Sequence, residues 1–142
     1  MTDPVLVLRK LATLREHADR ARRRRGESAE LFEVDIDRQD ALAMSLLVAA
    51  QEAADVALHI AADEAWGVPA SYGDGFVVLA RHGVIDPGLA EDLTRVIGVR
   101  HRIAHGYAAV DLKRLWAELP AGLDALDRYV TAIARFIGPR NP

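Results

Sequence analysis

The sequence has no cysteine among its 142 residues, which removes thiol catalysis, CxxC redox chemistry and every thiolate metal site. A chain of this length buries enough surface to fold without a disulfide or metal staple. Aromatic residues make up only 6% of it, and lysine is nearly absent, with 2 Lys against 16 Arg. No stretch without charge exceeds the eleven residues from Ala41 to Gln51, short of the ~20 apolar residues that a membrane span needs. Asp3 and Pro4 stand where a secretory leader carries basic residues. The expectation is a cytoplasmic protein without a membrane partner. A formal net charge of −3 supplies no global attraction to nucleic acid, so any polyanion site is a local patch.

Alanine is abundant, with 25 residues, and it favours helices that approach closely. Helical signals follow one another and no segment alternates with a period of two. Asp3 and Pro4 open a first helix whose stripe is Val7, Leu11, Leu14, Ala18 and Ala21, closed by Gly26 after the run Arg22 to Arg25. That run reads as a solvated helix end paired with the acidic stretch after it. A long helix is expected from about Asp35 to Trp66. Met44, Leu47, Gln51, Ala54, Leu58 and Ala62 mark one of its faces, and Leu42, Leu46, Ala49, Ala53, Val56 and Ile60 another. Apolar character on two faces calls for burial on two sides, at the centre of a bundle or in a subunit interface. Ser71 caps a short third helix stopped at Gly83, and Asp86-Pro87 starts a fourth with Leu89, Leu93, Val96 and Ile97 inward and Gly106 as a left-handed stop. Asp111 opens the last helical region, which Pro120 should kink or split. Tyr72 and Trp116 are read as core residues. The fold class is all-α, an up-and-down bundle of about five helices, as one domain over residues 1–142.

The segment Arg100-His101-Arg102-Ile103-Ala104-His105-Gly106-Tyr107 breaks this pattern. The stripe of the fourth helix continues from Val96 and Ile97 onto Arg100, where an apolar group is due. A guanidinium buried there without a partner costs several kcal/mol, so it needs a carboxylate, an interface or a ligand phosphate. His101 and His105 share a face with the i, i+4 spacing of a zinc pair. A third ligand would have to be Asp55 or His59, no HExxH pattern supports it, and neither a metal nor a cofactor is expected. The carbonyls at the end of a helix repel a phosphate, so Arg100 and Arg102 must hold it. Imidazole titrates near neutral pH, which suits His105 to proton transfer. Asp55 can either bond His59 or hold Arg100, and the second use is preferred.

Arg100, His105 and Tyr107 form an R-x-x-x-x-H-x-Y motif that resembles the signature of the HepT-like proteins of the HEPN superfamily, all-α ribonuclease toxins. The resemblance extends to the stretch AAQEAADVALHIAAD with Glu52, Asp55 and His59, to VIDP before the motif, and to AVDLKRLW after it. It covers about residues 36 to 136, and the first helix by position. His101 departs from it, because these proteins more often have Asn there. The resemblance implies a homodimer that cuts RNA without metal at a cleft where two motifs meet. It also implies a cognate minimal nucleotidyltransferase antitoxin as partner, which silences the nuclease by attaching AMP to the motif Tyr, here Tyr107. The catalytic residues would be Arg100 and His105, supported by His101, Arg102 and Asp55. The alternative is a non-catalytic helical partner that keeps the fold to bind a nucleotidyltransferase or a nucleotide.

Overall fold

The computed structural model of the protein describes residues 2–106 and 110–138. Among them lie six helices and no strand: α1 (Pro4–Arg25), α2 (Ala29–Val34), α3 (Ile36–Asp63), α4 (Tyr72–Arg81), α5 (Pro87–Gly106) and α6 (Leu112–Ile137). Side-chain caps set where the helices start. An Asp3 carboxylate oxygen accepts from the Val5 N–H at 3.0 Å, Ser71 Oγ from Asp74 at 3.2 Å, Asp86 from Leu89 at 2.8 Å and Asp111 from Arg114 at 3.1 Å. Each satisfies a first-turn donor that the helix cannot, a contribution of about 1 kcal/mol. Gly83, at φ 76° just beyond α4, provides the left-handed turn that its position predicts. Gly106 does not. It is the last helical residue of α5, outside the left-handed region.

The long helix α3 is the centre of the bundle, packed along α1 and touching α2, α4, α5 and α6. Leu42, Leu46, Ala49, Ala53, Val56 and Ile60 are wholly buried, and each large aliphatic side chain among them contributes roughly 1.5–3 kcal/mol by leaving water. Its second predicted face is covered unevenly. Ala54 is buried, Leu47, Gln51 and Leu58 are half-buried, and Met44 is 60% exposed. By length and composition α3 is apolar enough to cross a membrane, but over half of its most apolar stretch is spent inside the bundle.

Two local features differ from the sequence reading. The six residues of α2 lie in the acidic stretch, capped by Ser28 and anchored by the fully buried Phe32. Fewer than two turns leave no stripe to detect. Pro120 lies inside α6 without splitting it. Having no N–H, it frees the carbonyl of Trp116 four residues back, and Arg25 of α1 takes that carbonyl with Nε at 2.8 Å. The Arg25 guanidinium sits 3.6 Å from the centroid of the Trp116 ring, and Trp116 Nε1 returns a bond to the Arg25 carbonyl at 3.0 Å. Trp116 is therefore a half-buried clasp for the end of α1. The arginine run is not simply solvated either. Arg22 pairs with Asp19 and Asp127, and Arg38 from the acidic stretch donates to the carbonyls of Arg23 and Arg24.

Candidate active site

The first three turns of α5 bury Leu89, Ala90, Leu93, Val96 and Ile97, and the same stripe next delivers Arg100, half-buried against α3 and α4. Arg100 Nη2 donates to Gln51 Oε1 at 2.8 Å, and Nη1 lies 3.2 Å from His101 Nδ1. Its Cζ is 5.6 Å from the centroid of the Tyr72 ring. Nε is buried without a hydrogen-bond partner among the described residues, which costs about 1–3 kcal/mol. None of the ion pairs among the described residues involves Arg100. The expected Asp55 contact is indirect. Asp55 Oδ1 accepts from Gln51 Nε2 at 2.9 Å, and its other oxygen faces Lys10 Nζ of α1 at 3.7 Å.

A guanidinium nitrogen can only donate, so in this contact His101 Nδ1 is the acceptor. His101 stacks on Tyr72, with 6.2 Å between centroids and 15° between planes, and its ring is 6.2 Å from that of His105. Tyr72 is thus a wall of this site rather than a simple core residue. His101, Arg102 and His105 are exposed on the last turns of α5. Arg102 and His105 border an open groove of about 410 Å³, floored by Val99, Val110 and Leu115 with Arg114 on its rim. Tyr107 lies outside the described residues. Among the described residues no three His, Asp or Glu side chains are arranged to hold a metal ion.

Among the described residues the arrangement sets the Arg100 cation, with no carboxylate on it, against His101, whose ring lies 6.2 Å from that of His105. Such a set can bind a phosphoryl group and move protons beside it. Gln51, Tyr72 and Lys10 were not found from the sequence. Gln51 had a readable signal, as the polar member of an otherwise apolar face of α3. Tyr72 and Lys10 had none, because their roles depend on which helices meet.

The fold and the site define a helical-bundle protein with a cluster of arginine and histidine side chains at the end of one helix. The match to the family described as ribonuclease HepT-like spans residues 14–133, and the chain belongs to that family. It is 24% identical to the mRNA nuclease HepT of Shewanella oneidensis over 128 residues, 90% of this chain and 96% of that protein. Its fold matches that of the tri-AMPylated Shewanella oneidensis HEPN toxin in complex with MNT antitoxin, at a TM-score of 0.85 and 24% identity, covering 95% of this chain and 99% of the other. The cytosolic protein of unknown function YutE from Bacillus subtilis has the same fold at 15% identity and a TM-score of 0.84, with 99% and 94% covered.

Proposed function

We propose that the protein is a metal-independent endoribonuclease, the toxin of a toxin–antitoxin pair whose antitoxin is a minimal nucleotidyltransferase. The observation that carries this reading is Arg100, a half-buried guanidinium without a carboxylate partner among the described residues, on the same helix end as an exposed His105 in a chain of a ribonuclease family. In the proposed reaction one His105 takes the proton of a ribose 2′-hydroxyl, and that oxygen bonds to phosphorus. The bond from phosphorus to the 5′-oxygen then breaks, and a second histidine protonates the departing oxygen. The products are a 2′,3′-cyclic phosphate and a 5′-hydroxyl. Arg100 stabilises the charge that builds on the phosphoryl oxygens, aided by Arg102. Each acid or base contributes about 10²–10⁴-fold.

The second histidine is supplied by another copy of the chain, in a two-fold dimer with the Arg100/His105 segments facing each other. His101, whose Nδ1 faces Arg100, is a supporting residue of the same site. The uneven cover of α3 supports the dimer, since Met44 is left exposed on an apolar face. Tyr107 is the proposed AMP acceptor. Added AMP would bring phosphate into the groove that RNA enters and would occupy Arg100 and Arg102. The AMPylated state of the solved relative supports this reading.

The test is purified, unmodified protein incubated with RNA in chelator. Cleavage should be present, and lost in both Arg100→Ala and His105→Ala while folding is retained. No cleavage by unmodified protein, or undiminished cleavage by both variants, overturns the reading. A light-scattering mass of one subunit at micromolar concentration overturns the dimer. Mass spectrometry after co-expression with the nucleotidyltransferase should find AMP on Tyr107, and Tyr107→Phe should escape silencing.

A further inference from the structure

We infer that Gln51 is a positioning residue: it fixes the Arg100 guanidinium with a neutral amide, so that the cation is held without being neutralised. The inference rests on the proposed reading of Arg100 as the group that meets the phosphate. A guanidinium only donates, so it must face Oε1, and that leaves Nε2 for an acceptor. Nε2 meets Asp55 Oδ1 at 2.9 Å and lies 3.4 Å from the Tyr72 hydroxyl. The amide is therefore locked on both sides, accepting at Oε1 and donating at Nε2.

The charges around it are arranged to keep carboxylates off Arg100. Glu52 and Asp55 flank Gln51 on α3, and Lys10 faces both, at 3.8 and 3.7 Å. Both acids pair with Lys10 and neither with Arg100, and the order Lys10, Asp55, Gln51, Arg100 links α1 through α3 to α5. Had position 51 been Glu, a carboxylate would sit on the guanidinium and another would lie within hydrogen-bond distance of it. Had it been apolar, Nη2 would join Nε as a donor without a partner. With Gln, the geometry of Arg100 is fixed while its charge remains available to an incoming phosphate.

The test compares Gln51→Glu and the double variant Gln51→Glu/Asp55→Asn with the unmodified full chain. It measures single-turnover cleavage of RNA, and binding of a 2′-deoxy oligonucleotide that cannot be cut, as a function of salt. Gln51→Glu is nearly isosteric, so a packing role alone predicts no change. The positioning role predicts cleavage slower by about 10²-fold. It also predicts that the salt slope of binding falls by about 0.7, the loss of one phosphate contact on a single strand. In the double variant Glu at 51 can accept from both Arg100 and Asn at 55, restoring the bonds but not the free charge. Cleavage should stay at least about tenfold slow. Gln51→Glu cleaving and binding like the parent while Arg100→Ala is inactive overturns the inference and spares the functional reading. Full recovery in the double variant also overturns it, since placement alone would then suffice. The salt slope is read even from a variant with lowered thermal stability, at a temperature where it is folded. Arg100→Ala cleaving like the parent sinks the functional reading instead.

Discussion

Arg128 and Arg100 are the same side chain in opposite surroundings. Arg128, exposed on α6, donates Nε to Asp124 at 3.0 Å and Nη2 to Asp92 of α5 at 2.7 Å. Asp92 is shared with Arg95. The hydrogen bond from Arg128 is the main cause that holds the Asp92 carboxyl below its ordinary range, and the Asp92 contact in turn tightens the hold of Arg128 on its proton. Arg100 is more buried, yet among the described residues its polar and ring partners are an amide, an imidazole and a phenol ring, and one nitrogen has no partner there. A saturated arginine joins two helices, and an unsaturated one awaits an anion. What decides the role is the set of acceptors, which no single residue reveals.

The largest expected effect breaks this contrast directly. Arg100→Ala should lower single-turnover RNA cleavage by about 10²–10³-fold with little change in thermal unfolding. Arg128→Ala should leave cleavage within about twofold and cost less than about 1 kcal/mol, read from denaturant midpoints. Equal losses of cleavage in the two would erase the distinction. Trp116→Ala removes the ring under Arg25 and should destabilise the fold by roughly 2–3 kcal/mol, again by denaturant unfolding. It tests whether a third arginine, half-buried like Arg100, is purely structural.

Tyr129→Phe should cost about 1–2 kcal/mol, because the fully buried hydroxyl donates to the Ala53 carbonyl at 2.8 Å. Burial pushes the Tyr129 phenol well above its ordinary value of 10.0. Its contribution is thus complete below the unfolded value and is lost as pH rises toward the folded one. Stability measured on the alkaline side should fall in the parent and be flatter in Tyr129→Phe. The smallest effect is that of Asp92. Its folded value is lowered from 3.8, so its contribution is present above that pH and lost as pH falls through the folded value. Acid unfolding of Arg128→Ala should show less of this loss, and about 1 M salt should remove most of the difference between the two proteins.

Much of the fold is legible in the sequence because caps and stripes are local. Asp3-Pro4, Ser71, Asp86-Pro87 and Asp111 each mark a helix start within a few residues of where it occurs. Arg100 also stands out locally, as a charge at a stripe position that calls for an apolar side chain. The rest depends on which helices meet. Gln51 is 49 residues from Arg100, Tyr72 is 21 from Gln51, and Arg25 is 91 from Trp116. No spacing rule spans such separations, so Tyr72 reads as core, Lys10 passes unnoticed and Pro120 reads as a break. Periodicity also needs length, and α2 has only six residues.

The clasp between Arg25 and Trp116 also sets an order in time. Synthesis delivers α1 long before α6, and the second turn of α6 has a carbonyl that its own helix cannot satisfy. Until about residue 120 has emerged from the ribosome, Arg38 of α3 holds the end of α1 while Arg25 lacks the Trp116 ring and carbonyl. Until α1 is present, α6 carries an open defect on its second turn. The helices α1 and α6 therefore complete each other, and closure waits on a contact of large sequence separation, the kind that slows folding. A chain released before α6 is made keeps α1 packed along α3 but lacks the clasp that finishes its end.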